Sequence, residues 1–284
     1  MSSPTAIDLT GVNPETRNRS IKRLVLECVV GSTVHGTSVN DGLEDLDLMA
    51  IVLETPRAFM GFSQTDTWVE RTKPDGVRSE AGDVDRSIYG LRKYLSLALK
   101  GNPTMLLALF VPEEFIRFNS DTGQELQALY PLIVSRECVS PFRGYMKQQH
   151  ERLLGLRGQR NVTRPELVEA YGYDTKYAGH IIRLGFQGAE VLRTGRLTLP
   201  MPPEERDLCV AVRSGKYTLA QVSGLIIEAE ERLRRAAETT EIRPYGDREA
   251  VQKWMIATYL REFCEGTSTF PCSTNAAPTT KGTT

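Results

Sequence analysis

This 284-residue chain has no apolar run near the roughly 20 residues that a membrane-spanning helix needs; its longest such stretches lie around residues 24–30 and 105–111. Its polar opening, MSSPTAIDLTGVNPETRNRS, lacks the apolar core of a secretion signal. The five cysteines are odd in number and scattered, and none forms a C-x-x-C pair, which argues against a disulfide scaffold and a zinc ribbon. Net charge is also missing: 35 Lys and Arg balance 36 Asp and Glu, leaving a formal charge of −1. No global field therefore holds the chain on nucleic acid or an anionic membrane, and any such surface must be local. No internal repeat is visible. What is present, 40% apolar and 25% charged residues, is the composition of a globular protein, and the expected location is the reducing cytoplasm, off the membrane.

Residues 1–18 and 265–284 are rich in Ser, Thr, Pro, Gly and Asn, with too little apolar side chain to offset the entropy of ordering, so both read as disordered tails. Between them the pattern changes character at 119–135. Before it, apolar and β-branched runs at 24–30 and 46–53, with weaker ones at 68–70 and 84–88, predict strands. Residues 91–99 predict a helix that stops at Lys100-Gly101-Asn102-Pro103, and a second helix follows at 105–110. Beyond it, the periodicity predicts helices at 141–156, 164–193, 219–239 and 248–263, broken by Gly195 and by Pro200-Met201-Pro202-Pro203. The glycines at 172, 179, 185 and 188 predict a kink or split at the start of the long second helix. The expected organisation is a first domain over 19–130 and a helical lobe over 131–264. Residues 141–196 carry ten Lys and Arg against five acids, which fits a phosphate-facing lobe and a solvated helical surface equally well.

The informative segment is LVLECVVGSTVHGTSVNDGLEDLDLMAIVLE, residues 24–54. An apolar strand ends at Gly31-Ser32, a loop follows, and a second strand opens with Asp45-Leu46-Asp47-Leu48. Residues i and i+2 of a strand share a face, so Asp45 and Asp47 point together while the leucines enter the core. Two adjacent like charges call for a cation, and hard oxygen donors at this spacing suit Mg²⁺, which commonly bridges carboxylates to substrate phosphates. Gly31 lets backbone approach a phosphate closely, and Ser32 with the N–H groups after it can donate to phosphate oxygens. Together these read as a nucleoside triphosphate site.

Other readings compete. GSTVHGTS, residues 31–38, nearly matches the P-loop pattern G-x-x-x-x-G-K-[ST], but Thr37 stands where the lysine belongs and Val39-Asn40-Asp41-Gly42 open a helix poorly. An EF-hand is excluded by the apolar strand that continues through residues 48–52. Two surface aspartates on an edge strand would explain a bare D-x-D. The Gly-Ser that ends the preceding strand makes that coincidence harder to sustain.

An apolar strand, Gly-Ser, about a dozen residues and then Asp-h-Asp-h (h apolar) resembles the DNA polymerase β-like nucleotidyltransferase superfamily, with its motif hG[GS] followed by Dh[DE]h. More narrowly, GSTVHG…EDLDLM, YGLRKYLSLALKGNPTMLLALFVP and KYAGHIIRLGFQGAEVLRTGRL resemble the uncharacterised predicted nucleotidyltransferases of bacteria and their phages, over roughly residues 24–215, most of the folded chain. The resemblance implies an α/β nucleotidyltransferase fold with a mixed sheet, followed by a helical C-terminal lobe, with the site in the cleft between them. It also implies a metal triad of Asp45, Asp47 and a third carboxylate from a neighbouring strand. In GDVDRSIYG the choice is Asp85, just before the helix at 91–99, with Asp83 second and Glu80 third. Glu44 faces away from Asp45 on an extended strand and is left out of the set.

The implied activity moves a nucleoside monophosphate from an NTP, ATP among them, to an acceptor hydroxyl and releases pyrophosphate. Asp45 and Asp47 would hold two Mg²⁺ ions, about 3.5–4 Å apart in such sites, one escorting the triphosphate and one shared with Asp85 at the acceptor hydroxyl. Asp85 is also a candidate to take that hydroxyl's proton. The helical lobe offers Lys176, His180 and Arg183, which at i, i+4 and i+7 share one helix face suited to phosphate oxygens. Further candidates are His35 in the glycine loop, Arg92 and Lys93 after Asp85, and Tyr171, Tyr173 and Tyr177, whose first role is packing. The acceptor stays open between an RNA or tRNA 3′ end, a protein hydroxyl and a small molecule. The rival reading is a non-catalytic nucleotide-sensing or interaction module on the same fold, and a weaker one is a hydrolase.

Overall fold

The computed structural model describes residues 20–39, 46–62, 66–73, 82–156 and 164–265. The two expected tails lie outside the described residues, save Glu265, which closes the last helix.

The first half opens with β1 (Ile21–Val29) and a short helix α1 (Gly31–His35), then β2 (Leu46–Glu54), α2 (Pro56–Met60), β3 (Thr67–Arg71) and β4 (Val84–Gly90). It continues through α3 (Leu91–Ala98), α4 (Pro103–Phe110), β5 (Ile116–Asn119), α5 (Asp121–Ala128) and α6 (Tyr130–Ile133). The second half is helical: α7 (Val139–Leu153), α8 (Pro165–Tyr171), α9 (Thr175–Thr194), α10 (Pro203–Arg213), α11 (Leu219–Thr239) and α12 (Arg248–Glu265). The strands form one mixed sheet in the order β3-β4-β2-β1-β5, in which β2 and β4 are parallel and the other neighbours antiparallel. The fold is α/β, as the sequence leads one to expect.

A bulge decides what lies on each face of the sheet. Leu24 pairs with Val52 and Leu26 with Ile51, so Val25 is an extra residue that moves the rest of β1 by one position. Leu24 and Glu27 then share a face with Ala50, Trp68 and Ile88, whereas Leu26 and Cys28 join Met49 and Ile51 in the larger core. On the first face Arg86 of β4 meets Glu27 of β1 at 2.9 Å and Glu70 of β3 at 2.7 Å, reaching across β2 where Ala50 leaves room. Burial raises the Glu27 carboxyl above its ordinary pKa, and Arg86 opposes that shift.

The larger core continues without a break from the sheet into the helical half, through Phe142, Ile181, Val212, Leu233 and Tyr259. Glu54, buried at the end of β2, accepts the Leu91 N–H at 3.1 Å and so caps α3, and it also takes the Tyr259 hydroxyl from α12. A Cβ at residue 90 would fall 2.1 Å from Glu54 Oε1, so glycine is needed there. Burial pushes the Glu54 carboxyl up, and the Tyr259 bond partly offsets it.

Several elements differ from expectation for local reasons. Residues 31–35 form a helical turn rather than a loop, entered through Gly31 at φ +70° and closed by left-handed Gly36. The segment 164–193 does split near its start, as its glycines lead one to expect: Gly172 at φ +80° ends α8, and the Asp174 side chain caps α9 by accepting from the N–H groups of Lys176 and Tyr177. Pro203, read as part of a breaker, instead starts α10, because proline at a first helical position forfeits no hydrogen bond. The short β5 just precedes the expected change of character at 119–135, α5 falls within it, and both pack on β1.

Gly185 sits where α9 and α11 touch, and a Cβ there would lie 2.7 Å from both the Cβ and the carbonyl oxygen of Ala229. Gly185→Leu should therefore lower stability by about 1–3 kcal/mol through overpacking, read as a reduced urea midpoint at unchanged m-value.

Candidate active site

The site is built around the end of β1. The Val30 N–H donates to the Asp47 carbonyl at 2.9 Å, which ties the exit of β1 to the start of β2. Gly31 then turns the chain into α1, and a Cβ at that residue would stand 2.1 Å from Asp47 Oδ2. Glycine is thus required twice, for its positive φ and for the carboxylate packed against it. The sequence suggests that Gly31 makes room for a phosphate; here it makes room for Asp47. Ser32 follows on the same cavity wall.

Asp85 lies beside Asp47. On the parallel strands β2 and β4 the two residues are directly paired, so their side chains leave the sheet on one face at a backbone spacing of about 5 Å. Arg71 of the edge strand β3 pairs with Asp85 and brings Nε to 3.8 Å from Oδ1. Asp83 is engaged elsewhere: its carboxylate accepts from Thr72 Oγ1 at 2.8 Å and meets Lys73 Nζ at 3.1 Å, while its carbonyl takes the Leu46 N–H. Asp45, Glu44 and Glu80 lie outside the described residues.

The helical lobe supplies the opposite wall. A cavity of about 180 Å³ is lined by Gly31, Ser32, His35, Thr37 and Asp47 from the first half and by Lys176, Gly179, His180, Arg183 and Arg213 from α9 and α10. The three α9 residues picked out by their spacing are brought together with the Gly-Ser turn and Asp47. A second cavity, about 290 Å³, shares Gly31 and Asp47 and extends over Asp85, Ser87, Tyr89, Val69 and Arg71 to Thr104.

The match to known families runs over residues 8–246, to the RNA repair pathway DNA polymerase beta family (RlaP). This chain belongs to that family. Among solved structures, it is similar over 80% of its length to 72% of a nucleotidyltransferase-like protein from Exiguobacterium sibiricum 255-15, at 13% identity and a TM-score of 0.29. No curated protein matches it. The superfamily resemblance carried by GSTVHG…EDLDLM is thereby borne out, and the family narrows it to a group described by RNA repair.

Within this family member, Asp47 and Asp85 present hard oxygen donors from adjacent strands, a donor set that fits Mg²⁺. Among the described residues no third His, Cys, Asp or Glu joins them, and Asp45 is outside those residues. The cation wall is held by polar contacts. Arg183 Nη1 lies 2.8 Å from His35 Nε2 and donates to Gln187 Oε1 at 2.7 Å, and the Gln187 amide lies 3.0 Å from His35 Nδ1. Arginine only donates, so His35 Nε2 is the acceptor, the ring is neutral and Nδ1 carries its proton; the Gln187 amide nitrogen beside Nδ1 is then a close neighbour and not a hydrogen-bond partner. Burial pushes the His35 pKa well below its ordinary value, and Arg183 adds to the shift; His180 is lowered by the same two causes. Burial also lowers Arg183, to about 10, which leaves it charged near neutrality.

Arg92, Lys93, Tyr173 and Tyr177, whose roles the sequence left open or gave first to packing, do not line either cavity. Arg92 stacks on the Phe59 ring at 4.7 Å and Lys93 meets Asp66 at 3.5 Å, because α3 turns that face toward α2 and away from the site. Tyr173 is buried and donates to the Tyr217 carbonyl, Tyr177 packs under Arg164, and neither lines the site. Of the basic residues in 141–196, Lys176 and Arg183 reach the cavity, while Arg164 pairs with Asp174 and Lys147 with Glu151. Arg213, Thr37 and Gly179 were not visible as site residues. Arg213 lies at the end of a helix that the proline run concealed.

Two expectations follow. Gly31→Ala should destabilise the fold by about 1–2 kcal/mol from its left-handed backbone alone and should also displace Asp47, so that thermal midpoint and nucleotide affinity fall together. Because His35 and His180 stay neutral when folded but protonate in the unfolded chain, stability is fully present above about pH 6.5 and declines as pH falls below it. His35→Asn and His180→Asn should each flatten that acid limb in denaturant melts taken across pH.

Proposed function

We propose that this protein is a nucleotidyltransferase that moves a nucleoside monophosphate from an NTP to a hydroxyl of RNA, with release of pyrophosphate. The observation that carries the reading is the direct pairing of Asp47 with Asp85 on one sheet face, beside a cation-lined cavity that shares Gly31 and Asp47. The RNA acceptor is taken from the description of the family.

In this reading Asp47 and Asp85, with Asp45, would hold Mg²⁺, which when bound offsets charge on the triphosphate and lowers the pKa of the attacking hydroxyl. Lys176 and Arg183 would bind the non-transferred phosphates, so that negative charge building on pyrophosphate meets fixed positive charge. Ser32, on the Gly31 turn, would donate its hydroxyl to a phosphate oxygen. His180, neutral beside them, can donate without adding charge. The second cavity, open along β3 where Val69 is 57% exposed, would admit the acceptor, and Asp85, which also lines it, would receive the hydroxyl proton.

The test is incubation with each α-³²P-labelled NTP and Mg²⁺, with and without total cellular RNA, beside Asp47→Asn and Asp85→Asn. Label should pass to RNA with the wild type and fall by about 100-fold or more in either variant, at unchanged melting temperature. Transfer that survives both substitutions would overturn the assignment. No transfer at all, with NTPs still raising the melting temperature, would instead favour the nucleotide-sensing reading.

A further inference from the structure

A larger cavity, about 540 Å³, lies in a groove between α7 and α11 and shares no residue with the two site cavities. Both helices seat on α9. A Cβ at residue 188 of α9 would stand 2.8 Å from the Leu233 side chain and 2.9 Å from that of Phe142, so glycine there lets α11 and α7 approach closely. The groove left between them is floored by buried Met146 and Leu233, while Ile227, on its edge, is 66% exposed. His150 Nδ1 and Glu230 Oε1 approach to 3.9 Å across it.

The two walls differ in charge. On α7, Arg143 and Lys147 stand at i and i+4, one turn apart, with His150 a turn further on. On α11 the wall carries Glu230 and Glu231, together with Arg234, whose guanidinium already pairs with Glu231 and Glu238. Among the described residues no ion pair engages Arg143, and Glu230 meets His150 alone. A face with a cationic wall on one side of an apolar floor and an acidic wall on the other is complementary to itself. A half-turn about an axis through the groove lays each wall of one copy on the opposite wall of the next. With a net charge of −1, two copies carry no long-range repulsion to overcome. A polyanion such as RNA fits less well, because the α11 carboxylates would face its phosphates.

We propose that the α7–α11 groove is a self-association surface, on which a second copy of the chain docks about a two-fold axis and sets its α11 carboxylates against Arg143 and Lys147. Burial of Ile227 supplies the attraction, and the exposed charge pairs, each weak, fix the orientation. The inference does not depend on the nucleotidyl-transfer reading.

The experiment is sedimentation velocity of the full chain between about 1 and 100 μM, a range suited to the modest affinity of a small interface. The wild type should pass from monomer to dimer across that range. Ile227→Asp should raise the dissociation constant about tenfold or more at unchanged melting temperature, since the side chain is exposed in the monomer. Lys147→Glu and Glu230→Lys, each alone, set like charges across the two-fold and should weaken association several-fold. An equimolar mixture of these two variants should associate as the wild type does, because in the mixed dimer both contacts again join opposite charges. A wild type that stays monomeric up to about 100 μM overturns the proposal, as does a dimer whose dissociation constant holds within about twofold in all three variants. A mixture that does not recover association overturns it too. Should a charge variant melt below the wild type, Ile227→Leu decides, since it keeps the apolar contact: it should dimerise where Ile227→Asp does not, and equal behaviour of the two overturns the proposal. Wild-type monomers that bind RNA, and lose it in Lys147→Glu, would overturn it in favour of a polyanion site.

Discussion

The arrangement of the site depends on one constraint, the packing of the Asp47 carboxylate against a backbone that has no side chain at residue 31. The Val30 N–H on the Asp47 carbonyl fixes where β1 ends relative to β2, and Gly31 at positive φ turns the chain beneath the carboxylate. Parallel pairing of β2 with β4 then sets Asp85 beside Asp47 with no further device, because paired residues of neighbouring strands project to the same face. Moving β4 by one residue would send Asp85 to the other side of the sheet, among the Arg86 network. The bulge at Val25 does related work in β1, bringing Glu27 into reach of Arg86 so that the face opposite the site is closed by a buried ion network.

The helical half is tied to this arrangement at several points of different chemistry. Tyr259 of α12 donates to Glu54 at the far end of β2, Met201 donates its N–H to the His35 carbonyl, and Arg213 donates to Thr37. Gly179 and Gly185 allow close approach on two sides of α9, one to Arg213 and one to α11. The lobe thus presents its cations to a cavity whose opposite wall is the Gly-Ser turn. The histidines contribute by remaining uncharged: a protonated His35 would face the Arg183 guanidinium with no acceptor left on Nε2.

Much of this was legible in the residues themselves. The strand-Gly-Ser-loop-Asp-x-Asp order pointed to the type of fold through its resemblance to the polymerase β-like superfamily, and the family match agrees with it. The i, i+4, i+7 spacing of Lys176, His180 and Arg183 put them on one side of a helix wherever that helix lay. Helices α3, α4, α11 and α12 followed from periodicity and from signals such as Gly101-Asn102-Pro103. Membership of the RNA repair pathway DNA polymerase beta family agrees with the superfamily resemblance of the motif and narrows it.

What the tertiary structure alone decided is which distant residues meet. Periodicity placed Arg92 and Lys93 on a helix but not the side on which they stack and pair, away from both cavities. Arg213 was hidden because its helix begins at a proline run that reads locally as a break, and because its approach depends on an absent side chain at residue 179. The choice between Asp85 and Asp83 as neighbour to Asp47 turned on strand register, which pairs residues 47 and 85 and leaves Asp83 to Thr72 and Lys73. By itself the sequence determined the local elements and the chemical groups they carry, since these depend on neighbours along the chain. Register, close approach and charge balance depend on residues far apart in sequence, and only the packed fold sets them.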